Sequence, residues 1–363
     1  MQHPQKRLAQ LDRLERVLTA DIAAMAHLLD APARTRDQEN LSRSWRAIVV
    51  SHSALRTLVK DVLRDTSDPR VVSPGGHRAI RDLNAAAREM KNHLRDWSSI
   101  NGLIEQQMHS VSTPLFKDRI EPAAMPQVMD HITALFIDAL HKVANPQNDT
   151  QSDTAEDAGL HLDIPLPMDQ FSAMLGAAYR LCLAQRKARS LRFLDLGCGG
   201  GTKVLAARTC FETCHGLEYE ARTVASGKKL LASLGAEHCK LMQGDAFAFA
   251  DYGEYDVIYF FRPLRSTEDM IEMEARVLAQ VQPGTILMVP AGGLLSPDIE
   301  AFGVHHVSGH VYVTGMQAHE AQTLHDDART IGAAIPCHNR PIPSDPGLWD
   351  PILDVSRRNG HRI

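Results

Sequence analysis

The first 145 residues repeat apolar and polar positions with the period of an α-helix. In RLAQLDRLERVLTADIAAMAHLLD, apolar residues fall at positions 11, 14, 18, 22, 25 and 29, which places them on one stripe of a helix. The same period predicts helices from about Glu39 to Asp65, from His77 to Met108 and from Ala123 to Val143. Four long amphipathic helices with short connections predict an antiparallel bundle over residues 1–145.

The pattern changes after this region. Residues 146–160, within NPQNDTQSDTAEDAGL, are polar and acidic without an apolar period, which predicts a linker. From residue 161 to 320, the short apolar runs LRFLDL, CHGLE, YDVIYFF and TILMVPA alternate with amphipathic stretches, which predicts an α/β fold with a parallel sheet. The stretch IEAFGVHHVSGHVYVTG predicts a terminal antiparallel hairpin that turns at Ser308-Gly309. Residues 321–363 contain PCHNRPIPSDPGLWDP and predict an extended tail.

Composition narrows the class of protein. A chain of 363 residues with 44% hydrophobic content can bury two cores, and a net charge of −5 argues against a bulk polyanion binder. The six cysteines are scattered, and Cys210, Cys214 and His215 lack a second ligand pair, so we expect reduced thiols and no metal site. The charged N-terminus and the absence of a long apolar run predict a cytoplasmic protein without a membrane segment.

The run FLDLGCGGGTKVLAA, residues 193–207, exposes main chain directly after a buried strand. A nucleoside-triphosphate loop is excluded, because Lys203 is followed by Val204 rather than by Ser or Thr. A dinucleotide fingerprint is weakened, because Thr202 or Val204 stands where it needs glycine or alanine. The pattern that fits is D-x-G-x-G-x-G, formed by Asp195, Gly197, Gly199 and Gly201, and its carboxylate disfavours a pyrophosphate.

A ligand that tolerates this carboxylate is an amino acid that carries a sulfonium. Glu218 ends the next strand, where it can accept hydrogen bonds from ribose hydroxyls, and Tyr219 can cover an adenine ring. After the third strand, Asp245 can accept from the adenine amino group, the amide of Ala246 can donate to a ring nitrogen, and Phe247 can pack alongside.

From about residue 165 to 315, the sequence resembles the class I, Rossmann-like S-adenosylmethionine-dependent methyltransferases. The motifs that carry the resemblance are LDLGCGGGT, HGLEYE, QGDAF, YDVIYFFRPL and VQPGTILMV. The resemblance implies S-adenosylmethionine as cofactor and a sheet that finishes with an antiparallel strand. It implies a cofactor site formed by Asp195, Gly197, Cys198, Gly199, Gly201, Glu218, Tyr219, Asp245, Ala246, Phe247 and Phe260.

The acceptor side is less defined. Enzymes that methylate bases or glutamine often carry Asn/Asp-Pro-Pro-Tyr/Phe after the fourth strand, where this chain has FFRPL. The candidate catalytic residues are Tyr179, Phe261, Arg262 and His305. Tyr179 either covers the cofactor or packs in the core, and His305 either acts as a base or packs in its hairpin. Arg262 and Arg265 either bind an anionic substrate group or pair with carboxylates such as Asp269.

The sequence therefore predicts methyl transfer to an unidentified acceptor, with a small molecule or a protein favoured over nucleic acid. The helical domain either forms a homo-oligomer or covers the acceptor pocket. Two alternatives remain: an NAD-type Rossmann oxidoreductase, and a non-catalytic module that binds S-adenosylmethionine as a sensor or partner.

Overall fold

The computed structural model describes residues 4–66, 77–116, 132, 135–136, 138–140, 142–143, 152–161, 166–187, 190–236, 238–297, 299–332 and 347–361. Its helices are α1 (Pro4–Asp30), α2 (Gln38–Thr66), α3 (His77–His93), α4 (Trp97–Met108), α5 (Asp153–Asp157), α6 (Met168–Ala184), α7 (Thr202–Ala207), α8 (Ala221–Ser233), α9 (Thr267–Gln280), α10 (Ala318–Thr330) and α11 (Asp350–Arg358). Its strands are β1 (Arg192–Leu196), β2 (Thr213–Glu218), β3 (Cys239–Gln243), β4 (Val257–Phe260), β5 (Ile286–Met288), β6 (His305–Ser308) and β7 (Val311–Val313). None of these described helices is long and apolar enough to cross a membrane.

The chain divides into two compact units. Unit 1 combines Met1–Val111 with His338–Ile363, and unit 2 is Ser112–Cys337. In unit 1, α1 to α4 and α11 bury a shared apolar core. The predicted stripe of α1 faces this core, with Leu18, Ile22 and Leu29 fully buried.

Two predictions for the helical part need correction. The helix expected from His77 to Met108 is interrupted, because the carbonyl of His93 accepts a 2.7 Å hydrogen bond from the Trp349 indole and α4 begins only at Trp97. Residues 321–363 do not form an extended tail throughout: most of α10 and all of α11 lie within them, and both helices bury apolar side chains. The helix predicted from Ala123 to Val143 lies mostly outside the described residues.

Unit 2 contains a seven-stranded sheet in the order β3-β2-β1-β4-β5-β7-β6. Strands β1 to β5 are parallel, whereas β7 pairs antiparallel with β5 and with β6. This arrangement confirms the predicted parallel sheet with a terminal hairpin, whose turn residue Gly309 has φ +55°. One face of the sheet packs with α6, α7, α8 and α10, and the other packs with α9.

The described part of the predicted linker is folded, which is a third correction. Residues 152–161 include the single-turn helix α5, and Ala155 is almost completely buried. The hydroxyl of Ser152 accepts from the amide of Ala155 at 3.3 Å, so this polar serine starts the turn. Gly159, two residues after the end of α5, has φ +68°, a conformation that favours glycine.

Candidate active site

The glycine turn lies at the carboxyl end of β1, in the middle of the sheet. Gly197, Gly199 and Gly201 all have positive φ, at +80°, +51° and +80°. The amides of Gly197 and Cys198 both donate to the carbonyl of Leu217 on β2, at 2.8 and 3.1 Å. The turn is therefore held against the neighbouring strand by its own main chain.

The turn after β4 packs directly on the glycine turn. A Cβ atom at Gly197 would lie 2.8 Å from Cβ of Pro263, which is closer than such contacts occur in proteins. Glycine is therefore required at this position for two reasons, its φ and this close approach. The contact brings the turn after β4 next to the main chain of the predicted cofactor site.

A single leucine occupies the space beneath the glycine turn. Cβ atoms placed on Gly201, Gly216 or Gly227 would each lie within 2.9 Å of a Leu241 methyl carbon. A Cβ atom on Gly227 would also lie 2.7 Å from the carbonyl oxygen of Gly200. The sequence analysis missed Gly216 and Gly227; a glycine within an otherwise regular strand or helix is the signal that indicates such close approach.

Glu218, at the end of β2, contacts main chain on both sides. Its Oε2 accepts from the amide of Gly199 at 2.9 Å, and its Oε1 accepts from the amide of Glu220 at 2.9 Å. Tyr219 follows it and is partly exposed at the same edge of the sheet. The carboxylate predicted to bind the ribose thus also orients the glycine turn.

The turn after β3 lies beside Glu218. The amide of Gly244 donates to the Glu218 carbonyl at 3.0 Å, and Asp245 Oδ1 accepts from the amide of Phe247 at 2.9 Å. The side chain of Asp245 is exposed, whereas Ala246 and Phe247 are partly buried. The structure therefore brings Asp195, the glycine turn, Glu218 and the Asp245 turn to one edge, at the ends of β1, β2 and β3.

Residues 152–161, here called the strap, run across this edge. Near one end, the hydroxyl of Ser152 donates to Glu220, the N-cap of α8. Near the other end, Leu160 pairs with Leu264, and the amide of His161 donates to the carbonyl of Pro263 at 3.1 Å. Because β1 lies between β2 and β4, the strap connects the two strands on either side of the glycine turn.

The Ser152 contact has an electrostatic consequence. The pKa of Glu220 is lowered, chiefly because the Ser152 hydroxyl donates to its carboxylate. The anchor of the strap is therefore a charged carboxylate at neutral pH. The sequence analysis missed this contact, although an acid immediately before a helix is a known cap signal.

The loop after β5 lies at the same edge of the sheet. Ala291, Gly292 and Gly293 all have positive φ, at +62°, +103° and +81°. The loop is anchored by Glu274 on α9, which is completely buried and accepts from the amides of Leu295 and Ser296 at 2.8 and 2.7 Å. Burial raises the pKa of Glu274, and those two amides and the Arg262 charge oppose this shift.

Several predicted site residues have buried side chains. Asp195 is 2% exposed, and Phe260 is completely buried in the cluster that packs with α9. Cys198 is buried as well, and a Cβ atom on Gly216 would lie 2.5 Å from its Sγ. In this structure Phe260 and Cys198 can therefore contribute main chain, but not side chains, to the predicted cofactor site. Phe261, the next residue, is partly buried against the opposite core.

Two candidate catalytic residues lie at the wrong edge of the sheet. Tyr179 packs edge-on against Phe211, with ring centroids 5.7 Å apart, just before β2 begins. His305 begins β6, pairs with Val313, and its Nε2 lies 2.8 Å from the carbonyl oxygen of Met316. Because β6 runs parallel to β5, its first residue lies at the amino edge, opposite the glycine turn. The structure thus favours packing roles for both residues.

Known protein families include one that matches the part of the chain that contains this edge. The model of a family described as a methyltransferase domain matches residues 187–338. No curated protein sequence matches the chain.

Solved structures with similarity to the chain include three methyltransferases in complex with S-adenosylhomocysteine. An RNA methyltransferase from Salinibacter ruber is 20% identical over 42% of this chain and 92% of its own, with a TM-score of 0.30. Methyltransferases from Thiobacillus denitrificans and Geobacter sulfurreducens are 17% and 21% identical over 41% and 37% of this chain, with TM-scores of 0.28. The match spans about half of these two proteins, 54% and 52%. These TM-scores are too low for the acceptors of those proteins to indicate the acceptor of this chain.

Proposed function

We propose, from the premise that residues 187–338 belong to the class I S-adenosylmethionine-dependent methyltransferases, that the chain methylates a small-molecule or protein acceptor. S-adenosylmethionine is the cofactor of this family. The residues at the carboxyl edge fit it, because the glycine turn offers bare main chain and the Glu218 carboxylate accepts from the amide of Gly199 beside it. Such an edge suits a ligand that combines a sulfonium with ribose hydroxyls.

The observation that carries the proposal is the pairing of Glu218 with the glycine turn. The Glu218 carboxylate lies at the tip of the strand next to β1 and accepts from Gly199 in the turn. A hydroxyl pair at this position can donate to the same carboxylate, as a ribose does in sheets of this topology. The neighbouring Asp245 turn extends the edge toward where an adenine amino group would lie.

Methyl transfer from a sulfonium needs little chemical assistance from side chains. When bound, S-adenosylmethionine would supply a methyl group for in-line displacement by an acceptor atom, with the thioether as leaving group, so alignment and exclusion of water at this edge would supply most of the acceleration. The strap lies across the edge between β2 and β4, where it can limit the access of water. In this proposal the cofactor binds at the ends of β1 to β3, and the acceptor binds at the ends of β4 and β5.

A binding experiment separates the proposal from an oxidoreductase. Isothermal titration of the full chain with S-adenosylhomocysteine should give one site per chain, whereas NADH should give none. Tight binding of NADH without binding of S-adenosylhomocysteine would reject the proposal.

Substitutions at the edge test the site itself. Glu218→Ala, Asp195→Ala and Gly199→Val should each weaken S-adenosylhomocysteine binding about 10- to 100-fold, the loss expected for a charge-assisted hydrogen bond or a blocked main-chain contact. Arg208→Gln provides the control, because Arg208 is exposed at the end of α7, away from the glycine turn. Unchanged affinity in all three variants would show that the cofactor binds elsewhere.

A transfer screen tests whether the chain is a catalyst or a sensor. The full chain is incubated with methyl-tritiated S-adenosylmethionine and size-separated fractions of a cell lysate, and label is counted in each fraction. We expect label in small-molecule or protein fractions and none in nuclease-sensitive material. Tight cofactor binding with no transferred label would favour a non-catalytic sensor.

The role of unit 1 is a separate part of the proposal. A helical unit beside such a domain serves either as a dimerisation module or as a cover for the acceptor pocket. Light scattering of the full chain distinguishes these roles: a stable dimer supports the first, and a monomer supports the second.

A further inference from the structure

Arg262 holds an unusual position at the carboxyl edge. It follows β4 directly, its φ is +44°, and it is exposed. A non-glycine residue in this left-handed region carries backbone strain, which persists only where the surroundings impose it. Its neighbour Pro263 packs on Gly197 of the glycine turn, so Arg262 stands beside the predicted cofactor site.

The side chain of Arg262 points toward the loop after β5. Its Nη2 lies 3.9 Å from where a Cβ atom on Gly292 would be, so the guanidinium lies over bare main chain. Glu274 anchors this loop from below through Leu295 and Ser296. The guanidinium is thus held between the ends of β4 and β5, the region assigned above to the acceptor.

One alternative from the sequence is that Arg262 pairs with a carboxylate such as Asp269, and the described residues do not show this pair. Among the described residues, the ion pairs include none between Arg262 and a carboxylate. Asp269, the partner considered from the sequence, lies in the first turn of α9, where its amide donates to the Ser266 cap at 3.1 Å. Burial raises the pKa of the completely buried Glu274 and the charge of Arg262 opposes this shift, although the two side chains do not form an ion pair.

Two further basic groups converge on the same place. The amide of Arg265 donates to the carbonyl of Gly159 at 2.9 Å, and His161 is bonded through its amide to Pro263. The strap and the turn after β4 thereby place Arg262 and Arg265 within electrostatic range of His161. The pKa of His161 is lowered accordingly, first by desolvation and then by the charges of Arg265 and Arg262.

We propose that Arg262 binds an anionic group of the acceptor, a carboxylate or phosphate of a small molecule. This inference rests on the proposed function and names the substrate class of that site. A guanidinium presents a planar fork that binds either anion through two parallel hydrogen bonds. The Arg262 guanidinium beside the bare main chain of Gly292 supplies a binding site for one anion at the position where an acceptor approaches the methyl group.

Inorganic phosphate and acetate are the probes. The full chain, saturated with S-adenosylhomocysteine, is titrated with each anion by heteronuclear NMR. We expect saturable shifts in residues 261–265, with an affinity at least about tenfold weaker in Arg262→Gln and intermediate in Arg262→Lys. Arg208→Gln should bind both anions as the unsubstituted chain does. The stronger of the two probes identifies whether the acceptor group is phosphate or carboxylate.

Arg262→Gly separates binding from a structural role. Glycine adopts φ +44° without a Cβ clash, so this variant should lose anion binding yet unfold at a temperature no lower than the unsubstituted chain. If Arg262 instead serves only to offset the charge of Glu274, Arg262→Gly and Arg262→Gln should lower the unfolding temperature and leave anion binding unchanged, which overturns the proposal.

The remaining outcomes are also decisive. The absence of saturable anion binding in the unsubstituted chain overturns the inference. A ten-nucleotide RNA that binds at least about 100-fold more tightly than phosphate, and does so through Arg262, overturns the small-molecule acceptor. S-adenosylhomocysteine binding is measured first on the same samples. If it fails, the proposed function fails, while titration of the ligand-free chain with phosphate still tests Arg262.

Discussion

Leu241 determines how closely the glycine turn approaches its neighbours. Its two methyl groups fill the space that side chains at Gly201, Gly216 and Gly227 would occupy. These glycines come from the turn, from β2 and from α8, so one side chain joins three segments. The glycines therefore allow Leu241 to pack against the turn from within the domain, and they also leave the main chain of the turn open to a ligand.

Gly227→Ala tests this arrangement. A Cβ atom at Gly227 would lie 2.4 Å from a Leu241 methyl carbon and 2.7 Å from the backbone oxygen of Gly200, which cannot move without shifting the turn. We expect a loss of about 1–3 kcal/mol in the free energy of unfolding, as overpacking costs, and weaker S-adenosylhomocysteine binding. Chemical denaturation and calorimetric titration measure the two effects.

Gly102→Ala is the matched control. Gly102 also lies within a helix, α4, but nothing lies within 4 Å of a Cβ atom there. Alanine should stabilise that helix by about 0.5–1 kcal/mol and leave cofactor binding unchanged. Equal stabilisation by both substitutions would show that the close approach at Gly227 does not constrain that position and would contradict the arrangement.

At the scale of elements, the strap is the feature that links the two halves of the edge. It reaches from Glu220 at the start of α8 to Leu264 after β4. Its short helix α5 supplies one almost completely buried residue, Ala155. Because so little apolar surface holds it, the polar anchor at Ser152 contributes a large share of its order.

Ser152→Ala should release this anchor. The carboxylate of Glu220 then loses the hydroxyl that lowers its pKa, and amide hydrogen exchange over residues 152–161 should accelerate about 5- to 30-fold, corresponding to about 1–2 kcal/mol. Hydrogen-exchange mass spectrometry measures the rate. Ser233→Ala is the control, because Ser233 is exposed and bonds only within its own helix, to Leu230. Unchanged exchange in the strap would contradict the anchoring role.

At the scale of the whole molecule, unit 1 depends on both ends of the chain. Trp349, just before α11, is 4% exposed, and its ring lies tilted against that of Trp97 with centroids 5.5 Å apart. Gln107 and Asn359 form a buried hydrogen bond of 2.7 Å between α4 and the residue after α11. The C-terminal residues are thus part of the core of the helical unit.

Trp349→Ala should destabilise unit 1 by about 3–5 kcal/mol, the usual cost of removing a buried aromatic side chain. The substitution also leaves the carbonyl of His93 without its indole donor. Far-ultraviolet circular dichroism during urea unfolding measures the change. Leu234→Ala is the control, because Leu234 is 40% exposed in unit 2 and should cost far less.

The stability of unit 1 should fall in mild acid. The pKa values of His52 and His361 are both lowered, chiefly because burial disfavours the charged ring. The unfolded chain, in which both have the usual value of 6.5, then binds more protons than the folded chain as pH falls below that value. The free energy of unfolding is therefore highest above the unfolded pKa and decreases on acidification.

Urea unfolding of the full chain between about pH 8 and pH 5.5 measures this dependence. His52→Phe keeps a ring against Trp97, which His52 stacks on at 4.5 Å, and cannot take up a proton. This variant should show a shallower decrease than the unsubstituted chain. Identical pH profiles would exclude His52 as a source of the effect.

The periodic features of this protein could be predicted from its sequence because they are local. A stripe such as Leu18 and Ile22 requires only the helical repeat, and the parallel sheet with its hairpin follows from alternating runs and the Ser308-Gly309 turn. The glycine turn was identifiable because glycines after a buried strand allow a ligand to approach the main chain. Glu218 and Asp245 followed from their places at strand ends.

The tertiary structure alone decided which side chains face the site. Whether Phe260 points to ligand or core depends on the packing of α9, and the placement of His305 depends on the direction of β6. The strap, the break after His93 and the inclusion of α11 in unit 1 rest on contacts between residues far apart in the chain. Such contacts leave no period in the sequence, because their partners are set by the folded chain and not by neighbouring positions.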